Sequence, residues 1–451
     1  MRVLFVAHVC AALLLAEAGF VKTAGTAFTL DGAPFRFAGT NNYYLSYQDS
    51  TMVEDVFSRA RAHNFSVLRT WAFLDIGRPD GSASVGGGPK NGVWFQALDP
   101  VTNTLVYNES GLAHLDNVLA IAARYGVKLI LTLTNNWVDF GGMDQYVRWE
   151  ALANASYAAE NPKHDDFYAR PWQRTSYAAW VTRLATRTNS VTGVAYKDDP
   201  TIFSWELANE PRCQGSGAYG SSNNCTLNYA KFHVQPVAWK ITSWVDFASA
   251  AIKAADPNHL VAVGDEGFLC ETYQDDPDMT GDCYVGTDFA AFTALPTIDF
   301  GSAHLYPDSW GGGKGVEWGM EWIANHTAMA HALGKPMLLG EFGLKQGQAA
   351  AYAEWGAAWL AGGLNGDLFW MLCGRQDYDT PWYPDYDGSY VAPEGPRPAP
   401  NLTPPLFSPA GFCIYCANAS EPPPPGGDPA SCAALTAHAN AMKGAGGAAQ
   451  S

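Results

Sequence analysis

The chain has 451 residues, and its 27 Lys and Arg against 44 Asp and Glu give a formal net charge of −17. That balance excludes a nucleic acid or an anionic membrane surface as partner, because both would be repelled. Aromatic residues make up 13%, with 16 Trp; most fill a core, and such rings suit a neutral partner with apolar faces such as a polysaccharide.

Residues 1–18 read as a secretory signal peptide. Met1-Arg2 is a positive start, Val3 to Leu15 is almost wholly apolar, and Ala16-Glu17-Ala18 is a small-residue cleavage site. The apolar run is too short to span a membrane, and no later stretch reaches roughly 18 apolar residues. A secreted protein is expected, and cleavage removes one charge of each sign. Residues 20–33 form a hairpin turning at Asp31-Gly32, placed to cap one end of the fold. Eight apolar, β-branched runs follow as strands: Arg36–Gly39, Val67–Trp71, Lys128–Leu133, Ile202–Leu207, Leu260–Val263, Ile298–Ala303, Met337–Leu339 and Leu368–Leu372. Helical stretches lie between them, at Leu112–Tyr125, Tyr177–Arg187, Trp239–Ala255, Trp318–Leu333 and Ala349–Ala361. The alternation predicts an α/β chain, a (β/α)8 TIM barrel forming a single domain over residues 19–420. Its pattern ends near Leu372. Residues 373–420 are loop rich in aromatics and proline, and the Glu421-Pro-Pro-Pro-Pro-Gly-Gly linker opens a low-complexity tail, 421–451, expected to be disordered.

Of the nine cysteines, Cys10 leaves with the signal. The remaining eight are Cys213, Cys225, Cys270, Cys283, Cys373, Cys413, Cys416 and Cys432. An even number in an oxidising compartment points to disulfides. Cys213 with Cys225 and Cys270 with Cys283 each enclose a short polar loop, so local pairing is expected, although eight cysteines admit many connectivities. Cys432 offers a tether for the tail. Cys413 and Cys416 have CxxC spacing without a second such pair or a paired His, which argues against a zinc site. Seven N-x-S/T sequons begin at Asn64, Asn108, Asn154, Asn224, Asn325, Asn401 and Asn418. Asn64 lies so close to a buried strand that its use is not expected.

On such a barrel, functional side chains sit at the C-terminal ends of the strands, where the βα loops gather. Two glutamates meet that demand. Ile202-Phe-Ser-Trp-Glu-Leu-Ala-Asn-Glu-Pro211 is an apolar strand running into Asn209-Glu210, and Met337-Leu-Leu-Gly-Glu-Phe-Gly343 runs into Glu341. A single glutamate in such a place is usually a surface residue. Two, on the fourth and seventh strands, form the carboxyl pair that hydrolysis of a glycosidic bond needs.

Further segments make the pattern specific. They are Val67-Leu-Arg-Thr-Trp71, Leu133-Thr-Asn-Asn-Trp137 with Gly141-Gly142, Asn189-Ser-Val-Thr-Gly193 and Tyr196-Lys-Asp-Asp-Pro-Thr-Ile202. Val263-Gly-Asp-Glu-Gly-Phe268, His304-Leu-Tyr-Pro-Asp-Ser-Trp310 and Gly340-Glu-Phe-Gly343 follow. In this order, over most of residues 20–372, the chain resembles the family 5 glycoside hydrolases, in particular the endo-β-1,4-mannanases of plants and fungi. The resemblance implies that Glu210 is the acid/base and Glu341 the nucleophile. Arg69 would keep Glu341 ionised, since a neighbouring cation lowers a carboxyl pKa. Asn209 would bond the sugar 2-hydroxyl, and His304 and Tyr306 would orient the two carboxylates. Trp71, Trp137, Trp310 and Trp370 would bind sugar rings. Glu266, the best rival carboxylate, would support the site. Read alone, Arg69 could equally be a structural ion pair, His304 a core histidine and Trp370 a core ring.

The implied substrate is a mannan, glucomannan or galactomannan, cut by a monomer with retention of configuration and without metal or cofactor. A family 5 β-glucanase shares every catalytic position named, and a non-catalytic sugar-binding barrel is the remaining alternative. The latter predicts loss of Glu210, Glu341 or Arg69, and all three are present. Gly215-Ser-Gly-Ala-Tyr-Gly220 matches GxGxxG formally, yet it lies between cysteines and opens no helix, so it does not signal a dinucleotide. That loop, and the aromatic run Trp382, Tyr383, Tyr386 and Tyr390, fall outside the resemblance.

Overall fold

The computed structural model describes residues 19–213, 239–270, 285–310, 314–375, 412–417 and 429–447. The expected signal peptide, the loop after Cys213, the aromatic run 382–390 and the linker at Glu421 lie outside them.

Eight parallel strands form the barrel: β1 (Phe37–Asn41), β2 (Val67–Trp71), β3 (Lys128–Thr132), β4 (Ile202–Glu206), β5 (Leu260–Ala262), β6 (Gly301–Leu305), β7 (Met337–Phe342) and β8 (Gly366–Phe369). Every residue of these strands is buried. Both faces are covered, one by the barrel interior and the other by helices, so the strands read as continuous apolar runs rather than alternating ones. Neighbours follow the order β5-β4-β3-β2-β1-β8-β7-β6. At the seam between β5 and β6 single bonds replace a ladder: Asp299 N–H donates to the Val261 carbonyl (2.9 Å) and His304 N–H to that of Glu266 (3.1 Å). The sixth strand starts three residues later than its apolar run, and the seventh runs through Glu341 to Phe342.

The N-terminal hairpin has two turns rather than one. Val21–Ala24 pairs with Ala27–Leu30 around Gly25, and Ala27–Leu30 with Ala33–Pro34 around Asp31 and Gly32. All three turn residues have positive φ. The hairpin drives Phe28 into the barrel floor, where its ring meets Phe203 and Phe300 edge-on, each at 5.2 Å. Phe37, Val67, Ile130, Leu338 and Leu368 complete that plug. The opposite end is left to the βα loops.

The principal helices are α1 (Ser50–Ala62), α2 (Glu109–Tyr125), α3 (Pro171–Ala185), α4 (Trp239–Ala255), α5 (Phe289–Ala294), α6 (Val316–Ala332), α7 (Gln348–Gly362) and α8 (Pro429–Gly447). For residues 429–447 the last of these corrects the reading of a disordered tail over 421–451. Helix α8 packs against α7 and β1 as the eighth helix of the barrel. Its buried face is Cys432, Leu435, Ala439 and Met442, a 3-4-3 spacing that is one stripe of a helix. So many Ala and Gly surround the stripe that the apolar pattern is faint. The approach to α7 is close at Gly356, where a Cβ would stand 2.6 Å from His438 Nδ1. His438 Nε2 bonds the Asp367 carboxylate on β8 at 2.7 Å, both side chains being buried. Burial works against charge on that imidazole, but Asp367 overrides it and raises the His438 pKa.

Two disulfides tie this region together, Cys373–Cys413 and Cys416–Cys432. Cys213 and Cys270 are also disulfide-bonded; Cys225 and Cys283 lie outside the described residues. Asn64 Nδ2 donates to Asn440 Oδ1 on α8 (2.8 Å), so the sequon nearest the strand is engaged by the eighth helix.

Candidate active site

The open end of the barrel holds a cleft of about 380 Å³. Its floor is organised by Arg69, the third residue of β2 and completely buried. The guanidinium donates from Nε to Glu206 Oε1 (2.7 Å), from one amino nitrogen to Glu341 Oε1 (2.5 Å) and Asn41 Oδ1 (3.2 Å), and from the other to Asn209 Oδ1 (2.9 Å). One cation thus joins the ends of β1, β2, β4 and β7. The planar donor fork suits such a multi-acceptor site better than an ammonium could.

Glu341 lies on β7 and takes a second bond from the Tyr306 hydroxyl to Oε2 (2.7 Å). Burial is the largest influence on its carboxyl and raises its pKa; His304, Arg69 and the Tyr306 hydroxyl pull down, while Glu210 adds to the rise. Arg69 thus pulls the Glu341 pKa down, but the burial of the carboxyl outweighs it.

Glu210 stands four residues beyond the end of β4, in the left-handed conformation at φ 50°. Its N–H donates to the Gly264 carbonyl (2.8 Å), which turns the side chain into the cleft. Trp137 Nε1 donates to Oε2 (2.6 Å), and His304 Nδ1 faces Oε1 (2.8 Å). Burial pushes the His304 pKa down against the pull of Glu341. An oxygen of Glu210, an oxygen of Glu341 and a nitrogen of His304 all lie within 4.8 Å of one another. This trio is the nearest approach to a metal-ligand set at the cleft among the described residues. Arg69 already supplies the positive charge that a metal would bring.

Asn209 lines the cleft, its Nδ2 donating to Asn135 Oδ1 (3.1 Å). Trp370, beyond the end of β8, forms one wall with Tyr43 (5.9 Å, nearly parallel) and Trp71 (5.9 Å); its peptide bond to Met371 is cis. Trp137 stands opposite with the Arg212 guanidinium 5.1 Å from its ring. Trp310 reaches the cleft margin but is only 6% exposed, wedged against Phe268 and Trp322. Glu266 lines the cleft in a bidentate ion pair with Arg212. Burial pushes its carboxyl up to about 7 against the pull of Arg212, with Glu210 adding to the rise.

All eleven residues singled out in the sequence thus converge on one cleft or bond a residue that lines it. Three partners were missed. Glu206 and Asn41 share Arg69, and Arg212 braces both Trp137 and Glu266. The available signal was a carboxylate inside an otherwise apolar strand, Ile202–Glu206, which must be paired to be buried.

An eight-stranded parallel barrel with two carboxylates, Glu341 buried and Glu210 partly exposed, in an aromatic-walled cleft at its C-terminal end defines a glycoside hydrolase. A model described as GH family 5 beta-mannosidase-like matches residues 18–357. Mannan endo-1,4-beta-mannosidase F of Aspergillus fumigatus is 35% identical over 358 residues, covering 79% of this chain and 71% of the relative. Mannan endo-1,4-beta-mannosidase A of Aspergillus aculeatus is 35% identical over 361 residues, 79% and 82% of the two chains. The crystal structure of the endo-1,4-beta-mannanase from Rhizomucor miehei superposes with a TM-score of 0.72 at 34% identity, covering 94% of this chain and 99% of that one. The chain belongs to glycoside hydrolase family 5, among its β-mannosidase-like members.

Proposed function

We propose that the protein is an endo-β-1,4-mannanase that hydrolyses mannan, glucomannan or galactomannan by double displacement, with retention at the anomeric carbon. The observation that carries the reading is the approach of Glu210 and Glu341 oxygens to within 4.8 Å. Retaining enzymes hold the two carboxyls about 5–5.5 Å apart, whereas inverting ones leave about 6.5–9.5 Å for a water.

In the first step Glu341 attacks the anomeric carbon as the glycosidic bond breaks, and Glu210 gives its proton to the leaving oxygen. In the second, Glu210 takes a proton from water, which displaces Glu341 and regenerates both groups. Arg69 and Tyr306 fix the attacking carboxylate, and Trp137 and His304 fix the proton donor. Asn209 is placed to bond the 2-hydroxyl. Trp370 and Trp71 on one side and Trp137 on the other offer faces to successive sugar rings, with Trp310 and Glu266 at the margin. No helix among the described residues is long and apolar enough to cross a membrane. The signal-like residues 1–18 support secretion.

The test is hydrolysis of mannan, glucomannan and cellulose by the purified protein, with the first-formed anomer followed by NMR. Cleavage of the mannans to a β-configured product is expected. Glu341→Ala should abolish turnover on every substrate. A first product of α configuration would refute retention, and preference for cellulose would make the protein a β-glucanase.

A further inference from the structure

A buried polar chain behind the cleft does not touch the carboxylates. Asp144, His164 and Asn136 are all fully buried. His164 Nδ1 lies 2.6 Å from Asp144 Oδ1, and Nε2 lies 3.0 Å from Asn136 Oδ1. The same Asn136 oxygen accepts the backbone N–H of Arg212 (3.1 Å). An amide hydrogen cannot be turned away, so this contact fixes which end of the Asn136 amide is oxygen. His164 Nε2 must then carry a hydrogen and donate. At 2.6 Å a proton must also lie between Nδ1 and Asp144, whichever atom holds it. The ring is thereby locked at both nitrogens, with its orientation set by a buried carboxylate.

The carbonyl of Arg212 is held from the segment that carries His164. Tyr168, four residues after His164, donates its hydroxyl to the Arg212 carbonyl (2.9 Å) and is also fully buried. Arg212 is therefore held at its N–H by Asn136, which His164 braces, and at its C=O by Tyr168. Only Pro211 separates it from Glu210, whose left-handed backbone is the point most sensitive to a shift of that turn. Asn136 is also the direct neighbour of Trp137, and its own N–H donates to the Asn209 carbonyl (3.0 Å). The segment thus reaches both Glu210 and the indole that hydrogen-bonds it.

We infer that His164, held by Asp144 and acting through Asn136, is a positioning residue for the proton donor, and that Tyr168 is its counterpart on the far side of Arg212. The inference rests on the proposed role of Glu210 as acid/base. A structural histidine would support all steps alike. A positioning residue for the acid should matter in proportion to how much the leaving group needs a proton.

The test compares kcat/KM on mannopentaose, whose sugar leaving group must be protonated, with kcat/KM on a dinitrophenyl β-mannotrioside, whose leaving group needs no proton. Misplacing a reacting group by about 1 Å can cost on the order of 100-fold. His164→Ala should lose roughly 10- to 100-fold on mannopentaose and less than about threefold on the aryl substrate. His164→Gln, which can restore a donor to Asn136, should recover most of the loss. Tyr168→Phe removes one oxygen only, and it should show the same selectivity more weakly if His164→Ala fails to fold. Equal losses on both substrates in the folded variants, or no loss on either, would overturn the inference. Glu210→Ala is the control: if it shows no leaving-group selectivity, the role of Glu210 fails, whereas selectivity there but not at His164 or Tyr168 defeats only this inference.

Discussion

Removing residues 429–451 deletes helix α8, and the structure sets the scale of the damage. The Cys416–Cys432 disulfide closes a loop of sequence separation 16, a constraint worth about 3 kcal/mol in the chain-entropy treatment. Leu435 and Met442 are 3% and 0% exposed, and burying such side chains stabilises by about 1.5–3 kcal/mol each. Asp367, 1% exposed, loses the imidazole that pairs with it. Breaking a buried ion pair by removing one partner costs about 3–5 kcal/mol, with the low end applying here because the gap admits water. The total is on the order of 10 kcal/mol, comparable with the whole stability of an ordinary domain. At about 2.1 cal/mol/K of unfolding entropy per residue, a barrel of this size would lose roughly 10 °C or more in Tm. The assay is differential scanning fluorimetry with mannan hydrolysis on a truncation that also carries Cys416→Ser, to avoid a stray thiol. A truncated protein melting within about 2 °C of the full chain, with activity unchanged, would refute the argument.

Three further outcomes follow from the site and the latch. Tyr306→Phe removes a hydrogen bond that favours the charged form of Glu341, so the acidic limb of the kcat/KM profile should move to higher pH, by roughly 0.7 of a unit for a bond worth about 1 kcal/mol; a limb that stays put or moves down would contradict this. Trp137→Phe keeps a ring but loses the N–H bonded to Glu210, and should cost roughly tenfold on mannan and much less on an aryl substrate with a good leaving group. The raised pKa of His438 means its pairing with Asp367 contributes fully below the ordinary histidine value of about 6.5 and fades as pH rises through the elevated folded value. The Tm advantage over His438→Gln should therefore narrow as pH rises above about 6.5; a gap that widens as pH rises would show the sign to be wrong.

The strands and the catalytic pair were legible for one reason. Strands buried on both faces must be continuously apolar, so a carboxylate or guanidinium among them, such as Arg69 or Glu341, stands out. Glu206 carried the same signal within its strand but yields its meaning only once Arg69 is seen beneath it. Asn41 and Arg212 were illegible because a polar residue near a strand end has many unremarkable reasons to be there. Helix α8 was missed because it is built from alanine and glycine, and its docking depends on partners such as Gly356 and Asp367 that lie 60 or more residues earlier. Arg69 acts on Glu341 in the expected direction, and what the sequence did not display is the burial that works against it.

The position of α8 in the chain also orders events during synthesis. Strand β1 ends at Asn41 and α8 begins at Pro429, an interval of about 20 to 80 s at roughly 5–20 residues per second. Through that time the outer face of β1 lacks its α8 cover, and once α7 is made the groove between the two stays open until α8 follows. A nascent chain that stalls two dozen residues short of the end of α8 therefore displays an apolar groove that the sealed barrel never shows. A molecule with every catalytic residue already in place would still be unfinished at that face.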